Sequence, residues 1–150
     1  MPYFGDGANL SGVTGVVKKI RVNNLTGQYE YGISQSGWQT ALQIPSFTPA
    51  STNSRFVIIV TIASFVRWYG SGSAWGQMKI VDLTDDSYPD GISTNLTTAD
   101  NSGSHRFTIL DTKGGTTARN YALQLASGNN SGRARVQNCR MMVIELDQSA

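Results

Sequence analysis

Residues 55–69 read RFVIIVTIASFVRWY, and their pattern decides the fold class. Taken two at a time, one face carries Phe56, Ile58, Val60, Ile62, Ser64, Val66 and Trp68, and the other carries Val57, Ile59, Thr61, Ala63, Phe65, Arg67 and Tyr69. β-Branched and aromatic residues dominate, with neither Gly nor Pro inside, so a strand or a bent pair of strands is predicted rather than a helix. Both faces are largely apolar, whereas a surface strand of an antiparallel sheet shows one polar face. One face can be buried between two sheets. The other needs a second cover: another sheet face, a long loop or a neighbouring subunit.

The end of the chain repeats this character. Over 133–146, Met142, Ile144 and Leu146 oppose Met141 and Val143, and Asn138 and Arg140 break one face, which predicts a bulge near Asn138-Cys139. Towards the start, a strand over 15–22 carries Val16, Ile20 and Val22 on one side and Lys19 and Arg21 on the other, with Lys18 out of pattern. Asn23-Asn24 and Gly27 are expected to break it. Further strands are predicted over 28–34, 38–44, 75–83, 105–110 and 120–126. Met78, Ile80 and Asp82 share a face of one, Phe107 and Ile109 point inward in another, and Tyr121, Leu123 and Leu125 point inward opposite Ala122 and Gln124. Pro45 and Pro49 bracket a loop. The runs 70–74 and 127–132 are rich in Gly, Ser and Asn and read as hairpin connections. Residues 84–104 form a long polar excursion of the kind that tends to be functional.

No window has a helical period. The expectation is an all-β, jelly-roll-like antiparallel β-sandwich of about eight strands. An extended N-terminal arm over 1–12 precedes a single domain over 13–150. A chain of 150 residues can bury roughly 68–70% of its unfolded surface without metal or disulfide. Charged residues make up only 15%, which suits short strands joined by turn-rich loops. A net charge of +2 gives no reason by itself to expect direct contact with nucleic acid or an anionic membrane. Lys18, Lys19 and Arg21 on the first strand and Arg133, Arg135 and Arg140 on the last, with no aromatic residues between them, read as solvated edges rather than a nucleic-acid groove. Phe56–Val66 falls far short of the ~20 residues of a membrane span. Cys139 is the single cysteine, and the first residues lack the basic and apolar regions of a signal peptide, so a soluble chain made in a cytoplasm is expected.

Side chains able to do chemistry are few. His105 is the one histidine and has no nucleophile at a recognisable spacing, so it reads as a loop-edge residue. Cys139, inside a strand, reads as a small buried hydrophobe. Asp82, Asp85, Asp86 and Asp90 form an acidic loop that is either solvated or a calcium site, although the spacing does not fit an EF-hand. No catalytic residue and no cofactor follow. Trp68, Tyr69 and Trp75 flank a Gly-Ser turn and are core, interface or a platform for a surface glycan. Tyr3 and Phe4 are costly to leave in water and are candidates to anchor the arm on a shell or partner.

Gly37-Trp38 with Ala41-Leu42-Gln43-Ile44, the apolar run over 55–64, Tyr121-Ala-Leu-Gln-Leu125, and Val136 followed by Arg140-Met-Met-Val-Ile-Glu-Leu146 resemble the jelly-roll domains of tailed-phage virion proteins. Such domains occur in capsid decoration, or cement, proteins and in tail-fibre heads, and they commonly form homotrimers. The resemblance implies a non-enzymatic virion structural protein, made in the host cytoplasm, that binds the outer shell of major capsid protein and stabilises it. Phe56, Ile58, Val60 and Phe65 with Met141 and Val143 are the candidates for the subunit interface, and the sequence leaves open which strand face is interface and which is core. The alternative is a tail-fibre or receptor-binding head, or another carbohydrate-binding sandwich, using Trp68, Tyr69 and Trp75.

Overall fold

Period-two patterning gives seven strands among the described residues: β1 (Val16–Tyr31), β2 (Gln39–Gln43), β3 (Ser54–Trp68), β4 (Gly76–Asp82), β5 (Gly103–Asp111), β6 (Tyr121–Ser127) and β7 (Arg133–Asp147). The computed structural model describes residues 16–31, 36–68, 76–89, 103–127 and 133–147. The arm with Tyr3 and Phe4, together with Tyr69, Trp75 and Asp90, lies outside these residues. Two antiparallel sheets form, a four-stranded one in the order β1-β7-β3-β5 and a three-stranded one in the order β2-β6-β4.

Each strand lies in the opposite sheet from its predecessor along the chain. This alternating winding makes the sandwich jelly-roll-like. It also corrects two expectations. β3 and β4, and likewise β6 and β7, belong to different sheets, so neither pair forms the expected hairpin; the runs 70–74 and 128–132 between them lie outside the described residues. Gly-rich composition marks a change of direction, and whether the chain returns beside itself or crosses the sandwich depends on where the next apolar face is buried.

The core lies between the sheets. Phe56, Ile58, Val60 and Ile62 of β3 and Val136, Met141 and Val143 of β7 face Met78 and Ile80 of β4 and Tyr121, Leu123 and Leu125 of β6, all fully buried. Burying a side chain of this size contributes roughly 1.5–3 kcal/mol. Phe56, Ile58, Val60, Phe65, Met141 and Val143, the six interface candidates, are all 0% exposed within one molecule. They are therefore core within one molecule, and the inward face of these strands is not free for a subunit contact. Ala122 and Gln124, expected outside, are buried as well, because the outer side of β6 is covered.

An irregularity crosses the four-stranded sheet. Thr26 and Gly27 of β1 together face Asn138 of β7, and β3 carries one residue more than β5 between Ile62 and Phe65. Gly27 (φ +92°) and Asn138 (φ +47°) both take the left-handed region, and the Gly27 N–H donates to Asn138 Oδ1 at 3.0 Å. The alternation changes phase there. Cys139 follows Asn138 inward, and Phe65 points into the core rather than outward with Val57. The expected bulge near Asn138-Cys139 is thus present as a three-strand feature, and β1 runs through Asn23, Asn24 and Gly27 instead of ending there.

Candidate interaction surface

The opposite faces of the two sheets differ. On the three-stranded sheet, the outward residues Gln77, Lys79 and Val81 of β4 and Ala122, Gln124 and Ala126 of β6 are all buried. Lys79 Nζ lies 4.7 Å from the centre of the Trp38 ring and 5.4 Å from that of Tyr88, with Asp86 Oδ1 at 4.0 Å. The aromatic faces and the carboxylate make its burial tolerable.

On the four-stranded sheet, register places three apolar rows side by side on the outer face. One row is Ile20–Ile144–Val57–Leu110, running β1-β7-β3-β5. The next is Val22–Met142–Ile59–Thr108, and on the other side Val17 stands opposite Leu146, which stands opposite Arg55. Val17, Ile20, Val22 and Leu110 are 52%, 53%, 43% and 48% exposed, and only Tyr88 joins them as an exposed large hydrophobic residue among those described. The row after Val22 turns polar, with Asn24, Arg140, Thr61 and Arg106, all exposed. The apolar field is therefore bounded by Arg55 at one end and by Arg106 and Arg140 at the other.

Two buried acid-centred groups are held by internal partners. Glu145 receives hydrogen bonds from Arg21 Nη1 at 3.0 Å, Ser54 Oγ at 2.8 Å and the Ala50 N–H, and Arg21 stacks over the Phe47 ring at 3.8 Å. Burial raises this carboxyl, but the three donors outweigh it and hold it below the usual carboxylate value. Tyr121 OH donates to Asp111 Oδ2, and burial, followed by this hydrogen bond, pushes the phenol above its ordinary value.

Three of the four carboxylates of the acidic run, Asp82, Asp85 and Asp86, lie beside cations of the same chain. Asp82 is 1% exposed, accepts from the Thr84 and Asn120 N–H groups at 3.1 and 2.9 Å, and faces Arg119 Nε at 3.9 Å. Asp85 pairs with Lys113, and Asp86 lies against Lys79. Arg119, fully buried, donates to the carbonyls of Thr117, Lys113 and Gly114. Among the described residues, no group of three or more His, Cys, Asp or Glu could hold a metal ion. Sequence reading of the acidic run missed these pairings because Lys79, Lys113 and Arg119 are distant in the chain.

His105 projects from the inner side of β5 between two rings, edge-on to Phe65 at 5.9 Å and stacked with Phe107 at 6.0 Å. Cys139 is 2% exposed, and burial pushes its thiol up to about 11. The groove between β1 and β2, of about 500 Å³, is lined by Asn23, Asn24, Leu25, Thr40, Ala41, Leu42 and Gln43, none of them charged. The side chain of Trp68, with Tyr69 and Trp75, lies outside the described residues, so the glycan platform gains no geometry.

Fold and surface together define an all-β, jelly-roll-like sandwich in which, among the described residues, one sheet face is covered and the other carries an apolar field. No protein-family model matches the chain, and no curated protein matches it. Among solved structures, it is similar to the infectious bursal disease virus VP2 subviral particle, with 11% identity and a TM-score of 0.40 over 100% of this chain and 42% of that one. The infectious bursal disease virus Gx strain structure gives 14% identity and a TM-score of 0.33 over 100% of this chain and 43% of that one. The chain spans less than half the length of these structures, and likeness at this level carries no weight for function.

Proposed function

We propose that this chain is a non-enzymatic structural protein of a virion, a homotrimeric capsid decoration protein that binds the outer shell of major capsid protein and stabilises it. The observation that carries this reading is the apolar outer face of the β1-β7-β3-β5 sheet on a jelly-roll-like sandwich, together with the sequence resemblance to tailed-phage virion domains. A domain that hides its other sheet and most of its buried charges internally, yet leaves this field open, is built to be covered by protein. In this reading the arm over 1–12 reaches the shell, with Tyr3 and Phe4 as anchors.

The test is co-sedimentation with purified shells, lacking the chain, from the virion that encodes it. Deleting residues 1–12 should leave a folded, self-associated protein that no longer sediments with shells. Undiminished shell binding by the truncated chain, or no binding by the full chain, would overturn the reading.

A further inference from the structure

We infer that the outer face of the four-stranded sheet is where a second copy of this chain docks, an inference that rests on the self-association in the reading above and gives it a location. Four of the five exposed large hydrophobic residues named above stand on this face, in adjoining register rows. Three rows two residues apart, crossed by four strands about 4.8 Å apart, make an apolar field on the order of 400 Å². That lies within the roughly 300–600 Å² of the largest apolar patch on a typical monomer, a patch that is often functional. The whole face, as long as the 15 residues of β3 or β7, measures roughly 50 by 19 Å, or about 900 Å². A specific contact buries about 800 Å² from each partner, so the apolar field supplies about half of that and the polar rows around it supply the rest.

A copy suits the face for two further reasons. Side chains in rows on a sheet interleave with rows of the same repeat, and a copy brings that repeat whether the faces turn together about a twofold or a threefold axis. Charge is confined to the margins. Arg55 stands at one end of the rows and Arg106 and Arg140 at the other, so the apolar middle can be covered while the guanidinium groups stay in a wet rim. The other sheet offers no comparable field, because its outward residues Lys79, Val81, Ala122 and Gln124 are already buried within the molecule.

The full chain is compared by light scattering after size exclusion with the double variant Ile20→Asp/Leu110→Asp and with Tyr88→Asp. Ile20 and Leu110 lie on the edge strands and are half exposed, so the substitutions leave the core untouched, and an unchanged circular dichroism spectrum and melting temperature check this. The wild type and Tyr88→Asp should elute as the same assembly at micromolar concentration. The double variant should associate at least roughly tenfold more weakly and elute as monomer. Should it not fold, Leu110→Thr, which shortens one edge side chain without adding charge, should weaken association in the same direction. A monomeric wild type, or face variants that associate as tightly as wild type, would overturn the inference. Shell binding is measured separately by co-sedimentation, so a monomer that still binds shells would overturn the docking face and leave the decoration role standing.

Discussion

Glu145 and Arg21 meet at 3.0 Å between neighbouring strands β7 and β1, with the Glu145 side chain 0% and the Arg21 side chain 13% exposed. Removing one partner of such a pair leaves the other charge buried and unmatched, which typically costs about 3–5 kcal/mol. Glu145→Ala should therefore lower the free energy of urea unfolding by about 3 kcal/mol, because Ser54 Oγ and the Ala50 N–H lose their acceptor as well.

The same group gives the molecule a pH dependence with a defined sign. The folded carboxyl lies below its usual value, despite burial, because of its donors from Ala50, Ser54 and Arg21. Its contribution is therefore fully present above the unfolded value of about 4.3 and is lost as pH falls through the folded one. Denaturation midpoints should fall as pH is lowered below about 5, and Glu145→Gln should make that fall shallower. Equal slopes in the two proteins would contradict this role.

At the irregularity across the four-stranded sheet, Gly27→Ala puts a Cβ on a residue at φ +92°. A loss of about 1–2 kcal/mol is expected from urea denaturation, through backbone strain alone, since the added atom meets nothing within 4 Å. Asn138→Gly should cost less, about 1 kcal/mol, because glycine accepts φ +47° and only the hydrogen bond to Gly27 is lost.

Asp82, Asp85 and Asp86 of the acidic loop already face Arg119, Lys113 and Lys79. Millimolar calcium, and equally its chelation, should leave the melting temperature unchanged, since a bound ion would raise it by mass action. Asp82→Ala should by contrast destabilise by about 3 kcal/mol, since it strands the buried Arg119 and two backbone donors. A calcium-dependent rise would show that the internal cations are displaced.

With its thiol pushed up to about 11 by burial, Cys139 should be inert to a thiol reagent at neutral pH and should react fully once the chain is unfolded in guanidinium. Rapid native-state labelling would contradict the packing of β7.

The layer structure was legible from side-chain alternation: Phe107 and Ile109, and Tyr121, Leu123 and Leu125, point inward as expected, and the two-sided apolar runs are the strands β3 and β7. The choice between the two faces of β3 was not legible, because Phe56 and Val57 are equally apolar and only the position of the second sheet decides which is core. Phase changes were half visible. Asn138 betrayed one, but nothing local distinguishes Ser64-Phe65 from continuing alternation, and Gly27 reads as a strand end until Asn138 stands opposite it. The covered outer side of β4 and β6 was invisible for the same reason, since Lys79 and Gln124 look like solvent residues until Trp38, Tyr88 and Thr40 come beside them.

The most direct test of a copy lying on the outer face is an isotope-filtered nuclear Overhauser experiment on a mixture of ¹³C-methyl-labelled and unlabelled chains. Contacts between copies are expected at the methyl groups of Ile20, Val22, Val57, Ile59, Leu110 and Ile144. Intermolecular contacts confined to other surfaces, or none at a concentration where the chain sediments as an assembly, would contradict it.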